Sequence, residues 1–180
     1  QLAAAEGGTQ PDRASRPVGY AVEVRLYAED PAADHQPQSG LLRRLEILRE
    51  PGVRVEAGFE AGNEVSTFYD AMLAKVVVWA ETRARAVRLL ATVLERSRIH
   101  GVRTNRDQLV AILRDERFAA GEVSTALLPR IPLPEPDVAL APVAAALALA
   151  ERDRAARRVQ RGVPVAWRNV VSQPQETVLG

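Results

Sequence analysis

Apolar and polar residues alternate along positions 20–27, which predicts a β-strand with one face in the core and the other open to solvent. The polar face carries Glu23 and Arg25 two positions apart, or about 7 Å along a strand. A carboxylate at that distance could hold the arginine fork for an anionic or carbonyl-oxygen ligand. A surface ion pair on a half-exposed strand is the alternative, and the pattern alone favours it.

Three further strands are predicted at 41–48, 53–59 and 73–79, with Pro, Gly and Asp residues between them. Their short spacings suit an antiparallel sheet. The last strand is apolar almost throughout apart from Lys75, which predicts burial on most of both faces.

Helices are predicted from the periodicity that follows. Thr82 is expected to cap the first one, which ends at His100 and Gly101, and Asn105 is expected to cap a second one over 106–114. The inward stripe of the first helix consists of Val87, Leu90, Val93, Leu94 and Ser97. The fold class that follows is α+β, a small antiparallel sheet packed with helices and followed by a helical linker extension.

Proline and glycine punctuation divides the 180 residues into four parts. Residues 1–18 are expected to be the end of a preceding helix and a loop, and 19–128 the main domain. A proline-rich linker is predicted at 129–137. The final part, 138–180, is predicted to begin with an amphipathic helix that extends to about residue 160 and then to become extended.

Composition excludes several function classes. The 24 basic and 23 acidic residues nearly cancel and are interspersed, which argues against a nucleic-acid partner. No cysteine is present, so disulfides and Cys-ligated zinc are excluded, and His35 and His100 do not have metal-ligand spacing. The longest apolar run is shorter than the about 20 residues that span a bilayer, so no membrane partner is expected. These features, with no signal-peptide pattern, lead us to expect a cytoplasmic protein.

Five segments occur in one order along the chain: 19–31, 51–58, 68–75, 81–86 and 101–105. Each is a weak motif alone, but the ordered set covers about 19–128. Together they resemble the C-terminal domain of biotin carboxylase. That enzyme is the component of acetyl-CoA, propionyl-CoA and pyruvate carboxylases that attaches CO2 to biotin.

The resemblance implies a role for Arg25. In the family, ATP, magnesium and bicarbonate are used to carboxylate biotin carried on a separate domain. Deprotonating the urea of biotin leaves charge on its oxygen, and a fixed guanidinium there would stabilise that charge. The family's arginine lies in a Glu-x-Arg-x-x-Ala-Glu-Asp motif, which matches 23–30 here. The resemblance therefore implies that Arg25 is a catalytic and substrate-binding residue.

The resemblance also implies a homodimer interface. Arg54 and Asp70 match positions at or near the dimer contact of bacterial biotin carboxylases. The alternatives are a solvated surface charge for Arg54 and a turn role for Asp70. Lys75 is not expected to carry biotin, because biotinylation needs a lysine at a hairpin tip and Lys75 lies in a predicted strand.

A glycine-rich phosphate loop and a cluster of metal-binding carboxylates are not found in the sequence. In the family those parts lie upstream of the segment that matches Gln1, so we expect a piece of a longer protein. The chain alone is expected to bind neither ATP nor magnesium. The implied partners are a biotin carboxyl carrier domain and a carboxyltransferase beta subunit, whose docking region would start within 138–180. The carboxyltransferase selects the acyl-CoA, so this chain does not identify it.

A non-catalytic dimerisation or assembly module related to biotin carboxylase is the alternative function. Three departures from the family pattern bear on it, because they put local packing and full activity in question. His35-Gln36 replaces an apolar pair, Ala80 replaces a glycine, and Gln108 replaces a phenylalanine.

Overall fold

The computed structural model describes residues 2–9, 16–135, 139–158 and 162. The chain divides into two compact units, Gln1–Pro134 and Glu135–Gly180. The extended segment that the sequence predicts after residue 162 lies outside the described residues, as does the end of the proline-rich linker.

The strands are short, apart from two. In chain order they are β1 (Tyr20–Tyr27), β2 (Glu29–Asp30), β3 (Gln36–Pro37), β4 (Gly40–Leu41), β5 (Arg44–Glu46), β6 (Val53–Ala57), β7 (Glu64–Val65), β8 (Met72–Ala80) and β9 (Arg98–His100). The helices are α1 (Leu2–Ala5), α2 (Arg83–Arg96), α3 (Arg106–Arg114), α4 (Glu116–Ala120) and α5 (Ala141–Ala156), with 3-10 turns at Pro31–Ala33 and Thr125–Arg130.

An antiparallel three-stranded sheet in the order β1-β8-β6 forms the centre of the first unit. Val24 of β1 and Val55 of β6 both lie opposite Val76 of β8. The apolar face of this sheet packs on α2, whose predicted inward stripe is buried throughout. Since every CH2 removed from water contributes about 0.8 kcal/mol, this aliphatic layer is the main source of stability.

The prediction that β8 is buried on most of both faces is wrong. Val76 and Val78 are inaccessible to solvent, whereas Lys75 and Val77 on the other face are half-buried and Trp79 is 47% exposed. Among the described residues of the first unit, helices pack on one face of the sheet, and the other face is open as in many antiparallel sheets. The apolar run marks the central strand of the sheet, and it does not report how many layers cover that strand.

The predicted strand over 41–48 is two short strands with different partners. β4 pairs with β7, and β5 pairs with β9. A second core cluster lies beside them and consists of Leu26, Ala28, Leu42, Val65, Ala71, Leu73 and Ala74. Leu26 belongs to β1, so this strand contributes to both clusters and joins them.

Thr82 caps α2 as predicted, because its hydroxyl accepts a hydrogen bond from the amide of Arg85 at 3.3 Å. The expected cap on α3 is wrong. The helix has the predicted bounds, but the Asn105 side chain makes no hydrogen bond to its first turn. It contacts β1 instead.

The prediction of an amphipathic helix after the linker is also wrong. In α5 the apolar residues occupy the first half on all sides and the charged residues occupy the second half, so no face is consistently apolar. None of its described residues is buried within its unit. No helix among the described residues is long and apolar enough to cross a membrane.

Asp115 fixes the start of α4. Its carboxylate accepts hydrogen bonds from the amides of Arg117 and Phe118, at 2.9 and 3.3 Å, and pairs with the Arg117 guanidinium at 2.8 Å. The guanidinium contact is the main reason why the pKa of Asp115 is lowered to about 2, and the amides lower it further. Arg83 of α2 donates to the carbonyl oxygen of Phe118 at 2.6 Å and lies over its ring, which ties α4 to α2.

Two glycines allow a test of how tightly residue 101 packs against the 41–43 segment. Gly101 has a φ of 117°, and a Cβ there would lie 2.9 Å from the amide nitrogen of Arg43 and closer still to the carbonyl oxygen of Leu41. Gly62 has a φ of 96°, but a Cβ there would meet no atom within 4 Å. At both positions the positive φ disfavours any residue with a side chain, and at Gly101 a side chain would also clash with neighbouring backbone atoms.

We therefore expect Gly101→Ala to lower the free energy of unfolding by about 1–3 kcal/mol more than Gly62→Ala. Urea unfolding followed by circular dichroism measures both values. Equal losses in the two variants would show that the contact between residue 101 and the 41–43 segment is not tight.

Candidate functional site

Arg25 lies on β1, an edge strand of the three-stranded sheet, and its side chain is 61% exposed. Its Nε lies 3.6 Å from Oε1 of Glu23, so the two residues form the ion pair that the alternation suggests. That distance is too long for a good hydrogen bond, and the guanidinium makes none to another side chain among the described residues. Its donors therefore point at solvent in this structure.

The open face of the sheet continues this charge pattern, and we call it the charged face; its members are Glu23, Arg25, Arg54, Glu56 and Lys75. Lys75 on β8 lies opposite both Arg25 and Glu56, and Val77 lies opposite both Glu23 and Arg54. Arg25 and Arg54 are therefore on strands about two spacings, or roughly 10 Å, apart.

Ion pairs connect neighbours on the charged face. The Glu56 carboxylate lies 3.1 Å from Nε of Arg54 and 3.7 Å from Nζ of Lys75. All these side chains are substantially exposed, and exposed pairs contribute only about 0–1 kcal/mol each to stability. The fold therefore does not depend on these charges, which leaves them available for contacts with other molecules.

A cleft of about 770 Å³ lies beside Arg25, within the volume range of small-molecule sites. Its polar wall includes Glu23, Arg25, Glu29 and His35. Its apolar lining comes from α3, α4, the turn Thr125–Arg130 and the residues just after that turn, and its members are Leu109, Ile112, Leu113, Phe118, Leu128, Ile131 and Leu133. Among the described residues, Arg25 is the only arginine or lysine that lines this cleft.

Asn105 holds the free edge of β1 next to Arg25. Its Nδ2 donates to the carbonyl oxygen of Arg25 at 3.2 Å, and its Oδ1 accepts from the amide of Tyr27 at 2.9 Å. Its own amide donates to the carbonyl oxygen of Tyr27 at 3.2 Å. Asn105 is only 7% exposed, so its amide group has its hydrogen-bond partners in the protein and not in bulk water.

Two of the departures from the family pattern contact each other. Nε2 of His35 lies 3.1 Å from Oε1 of Gln108, which joins the turn after β2 to the first turn of α3 at the rim of the cleft. Asp34 and His35 both have positive φ, 52° and 58°, which is uncommon for residues other than glycine. The polar side chains at positions 35 and 108 thus form a contact at the edge of the cleft.

The same turn is fixed at its start by Asp30. One carboxylate oxygen accepts from the amide of Ala32 at 3.1 Å, and the other lies 2.7 Å from Nη1 of Arg103. The 101–105 segment therefore contacts the 23–31 segment through both Arg103 and Asn105. This explains why the two motifs belong together although they are far apart in sequence.

The structure does not bring Arg54 and Asp70 together. Asp70 lies just before β8, whereas Arg54 lies opposite Val77 toward the other end of that strand. Oδ1 of Asp70 accepts from the amide of Met72 at 2.9 Å, so Asp70 has the turn role that was one of the two interpretations. Its interface role stays a proposal.

Several features were missed from the sequence. Phe68 and Tyr69, next to Asp70, are 96% and 88% exposed, and an exposed aromatic pair is a candidate contact surface. The ion pairs of Glu56 with Arg54 and with Lys75 were also not expected. The signal for Lys75 was its charge within an apolar run, which marks an open position on the strand.

Lys75 lies in the middle of β8 and not at a hairpin tip, which agrees with its rejection as a biotin acceptor. Among the described residues there is also no group of three or more His, Asp or Glu side chains that could hold a metal ion.

Comparison with known proteins identifies the family. Residues 23–130 match the family described as the biotin carboxylase C-terminal domain. A biotin carboxylase from Halalkalibacterium halodurans is 38% identical over 110 residues, which are 61% of this chain and 24% of that protein. The mitochondrial methylcrotonoyl-CoA carboxylase subunit alpha of Dictyostelium discoideum is 40% identical over 112 residues, which are 62% of this chain and 16% of that subunit.

Solved structures agree. The biotin carboxylase domain of the Hydrogenobacter thermophilus 2-oxoglutarate carboxylase, a dimer with MgADP, ADP and bicarbonate, has a TM-score of 0.64 at 32% identity, over 69% of this chain and 28% of that one. The chain spans less than a third of the length of these relatives. Since the family match covers more than half of its residues, the chain belongs to the biotin carboxylase C-terminal domain family.

Proposed function

We propose that this chain is part of the biotin carboxylase component of a biotin-dependent acyl-CoA carboxylase, which uses ATP and bicarbonate to carboxylate carrier-bound biotin. The observation that carries the proposal is the position of Arg25. It is an exposed arginine on the charged face, next to a carboxylate and at the rim of a ligand-sized cleft. The match to biotin carboxylases over 23–130 supports it.

Arg25 would act on biotin as substrate. The ureido nitrogen of biotin accepts the carboxyl group, and removal of its proton puts negative charge on the ureido oxygen. The guanidinium of Arg25 would donate hydrogen bonds to that oxygen, and Glu23 would limit the motion of the fork. Preorganisation of this kind lowers the barrier because the donors are in place before the charge develops.

ATP and magnesium do not fit the residues described in this chain. The charged face offers alternating charges and no set of carboxylates suited to a divalent cation. We propose that the remainder of the enzyme holds MgATP and supplies the general base, while this domain supplies Arg25. MgADP in the Hydrogenobacter thermophilus domain, which is several times longer than the matched region, is consistent with that division.

The proposed partners are a second copy, the biotin carboxyl carrier domain and the carboxyltransferase beta subunit. The homodimer is supported by the dimer of the Hydrogenobacter thermophilus relative. Arg54 on the charged face and Asp70 beside the exposed aromatic pair are the proposed interface residues. We propose a cytoplasmic enzyme. Acetyl-CoA carboxylation for fatty acid biosynthesis is one candidate use, and the propionyl-CoA and methylcrotonoyl-CoA of the relatives are others.

Arg25→Ala in the complete carboxylase should slow biotin carboxylation at least about tenfold, equivalent to about 1.4 kcal/mol of barrier, without changing the fold. Arg25→Lys should restore little, because an ammonium group cannot reproduce the planar fork. Steady-state carboxylation of free biotin measures both.

Arg85→Ala is the matched control. Arg85 lies on α2, is about as exposed as Arg25 and is likewise paired with a carboxylate, that of Glu81. Normal turnover by the Arg25→Ala enzyme would refute the catalytic role of Arg25.

The 180-residue chain alone should neither bind MgATP at micromolar concentration nor hydrolyse it with bicarbonate, because its described residues offer no carboxylate cluster for the metal. Isothermal titration calorimetry with MgATP is the direct measurement. A clear binding isotherm would mean that this domain contributes a nucleotide site of its own.

Reversing either interface charge, Arg54→Glu or Asp70→Lys, should weaken the dimer of the complete subunit. Loss of a single rim pair changes affinity by only about 0.2–1 kcal/mol, and charge reversal adds repulsion. Sedimentation at several concentrations gives the dimer constant, with Arg85→Glu as control and circular dichroism as the check on folding. Unchanged dimer constants in both variants would show that Arg54 and Asp70 are ordinary surface charges and not interface residues.

A further inference from the structure

We propose that Asn105 is the positioning residue for Arg25, acting as a substitute strand on the free edge of β1. This inference rests on the proposed function, because it assumes that the position of the Arg25 guanidinium matters for biotin carboxylation. The observation behind it is independent of that function. It is the set of three hydrogen bonds that Asn105 makes to the backbone of Arg25 and Tyr27.

The free edge of β1 needs such a partner. β8 pairs with β1 along its whole length, but no strand pairs with its other edge among the described residues. The pairing with β8 also shifts register between Leu26 and Tyr27, because Leu73 of β8 has no partner on β1. Such a bulge disrupts the ladder and increases the local twist. The position of Arg25, one residue before Leu26, therefore depends on what holds the other edge of β1.

Asparagine suits this task chemically. Its amide group carries a donor and an acceptor on adjacent atoms, as a peptide group does, so it can pair with a carbonyl oxygen and an amide of one strand at once. Here the donor meets the carbonyl of Arg25 and the acceptor meets the amide of Tyr27. Ionised aspartate would keep the acceptor but lose the donor, and alanine would lose both.

Asn105 is itself well anchored. It is 7% exposed and lies at the start of α3, whose first turn also contacts the turn after β2 through Gln108 and His35. Arg103, two residues earlier, pairs with Asp30 of β2. The position of the free edge of β1 is therefore fixed by α3 as well as by the sheet. This accounts for the missing helix cap, because the side chain that could cap α3 is used on β1.

The test is a double-mutant cycle between Asn105 and Arg25 in the complete carboxylase. Asn105→Ala and the near-isosteric Asn105→Asp should each slow biotin carboxylation by about fivefold or more through misplacement of the arginine. In an Arg25→Ala background the same changes should have less than about a twofold effect, because the group that they misplace is gone. A residue that merely stabilises the fold would slow both backgrounds equally.

Ser97→Ala is the matched control. Ser97 is also buried and polar, and its hydroxyl donates to the carbonyl oxygen of Val93 at 2.7 Å without contacting β1. We expect this variant to carboxylate biotin within about twofold of the wild type. Thermal melting of all variants identifies any that fail to fold, and Asn105→Asp serves if Asn105→Ala does not fold.

Hydrogen exchange of the peptide that contains Arg25 and Tyr27 provides a readout independent of catalysis. Asn105→Ala removes the acceptor of the Tyr27 amide and should exchange faster there, whereas Ser97→Ala should not. Asn105→Asp keeps that acceptor and should exchange more slowly than Asn105→Ala. Independent, multiplying effects of Asn105 and Arg25 on the rate, or unchanged exchange in this peptide, would overturn the inference. Normal turnover by Arg25→Ala alone would instead refute the proposed function, while the exchange data would still decide whether Asn105 holds this edge.

Discussion

The pairing of β8 with β1 on one side and β6 on the other is the constraint on which the rest of the structure depends. It places Lys75 opposite both Arg25 and Glu56, and Val77 opposite both Glu23 and Arg54. Because a strand has a period of two, the same register that puts Val24, Val55 and Val76 on the core face puts all the charged side chains on the other face. A slip of one residue would bury the charges and expose the core.

That register separates stability from function within one sheet. The buried face packs aliphatic side chains against α2, while the open face carries exposed ion pairs that add little to folding. The charged residues can therefore meet other molecules without weakening the domain. The apolar wall of the cleft beside Arg25 likewise comes from helices and a turn that are fixed by contacts elsewhere, such as those of Asp115 and Arg83.

The elements that follow local pattern could be predicted from the sequence. The bounds of β1 and α3 and the inward stripe of α2 match their predictions, because alternation and helical periodicity report which face is covered. The role of Asn105 could not be predicted in this way. An asparagine before a helix can cap that helix or bind elsewhere, and here its partner lies 80 residues away. The predictions that β8 is buried on most of both faces and that α5 is amphipathic failed for a related reason, since a run of apolar residues does not say how many of its faces are covered.

Lys75 has a consequence that follows from its being the only lysine in these 180 residues. It lies in the central strand, hydrogen-bonded on both sides, with its ammonium group on the charged face. Within this chain, a lysine-specific protease therefore has one internal peptide bond to cut, and that bond can enter a protease only when the sheet opens. When opening and closing are fast relative to cleavage, the digestion rate measures the open population of this one sheet. The amino acid composition thus provides a built-in reporter of sheet opening that needs no label.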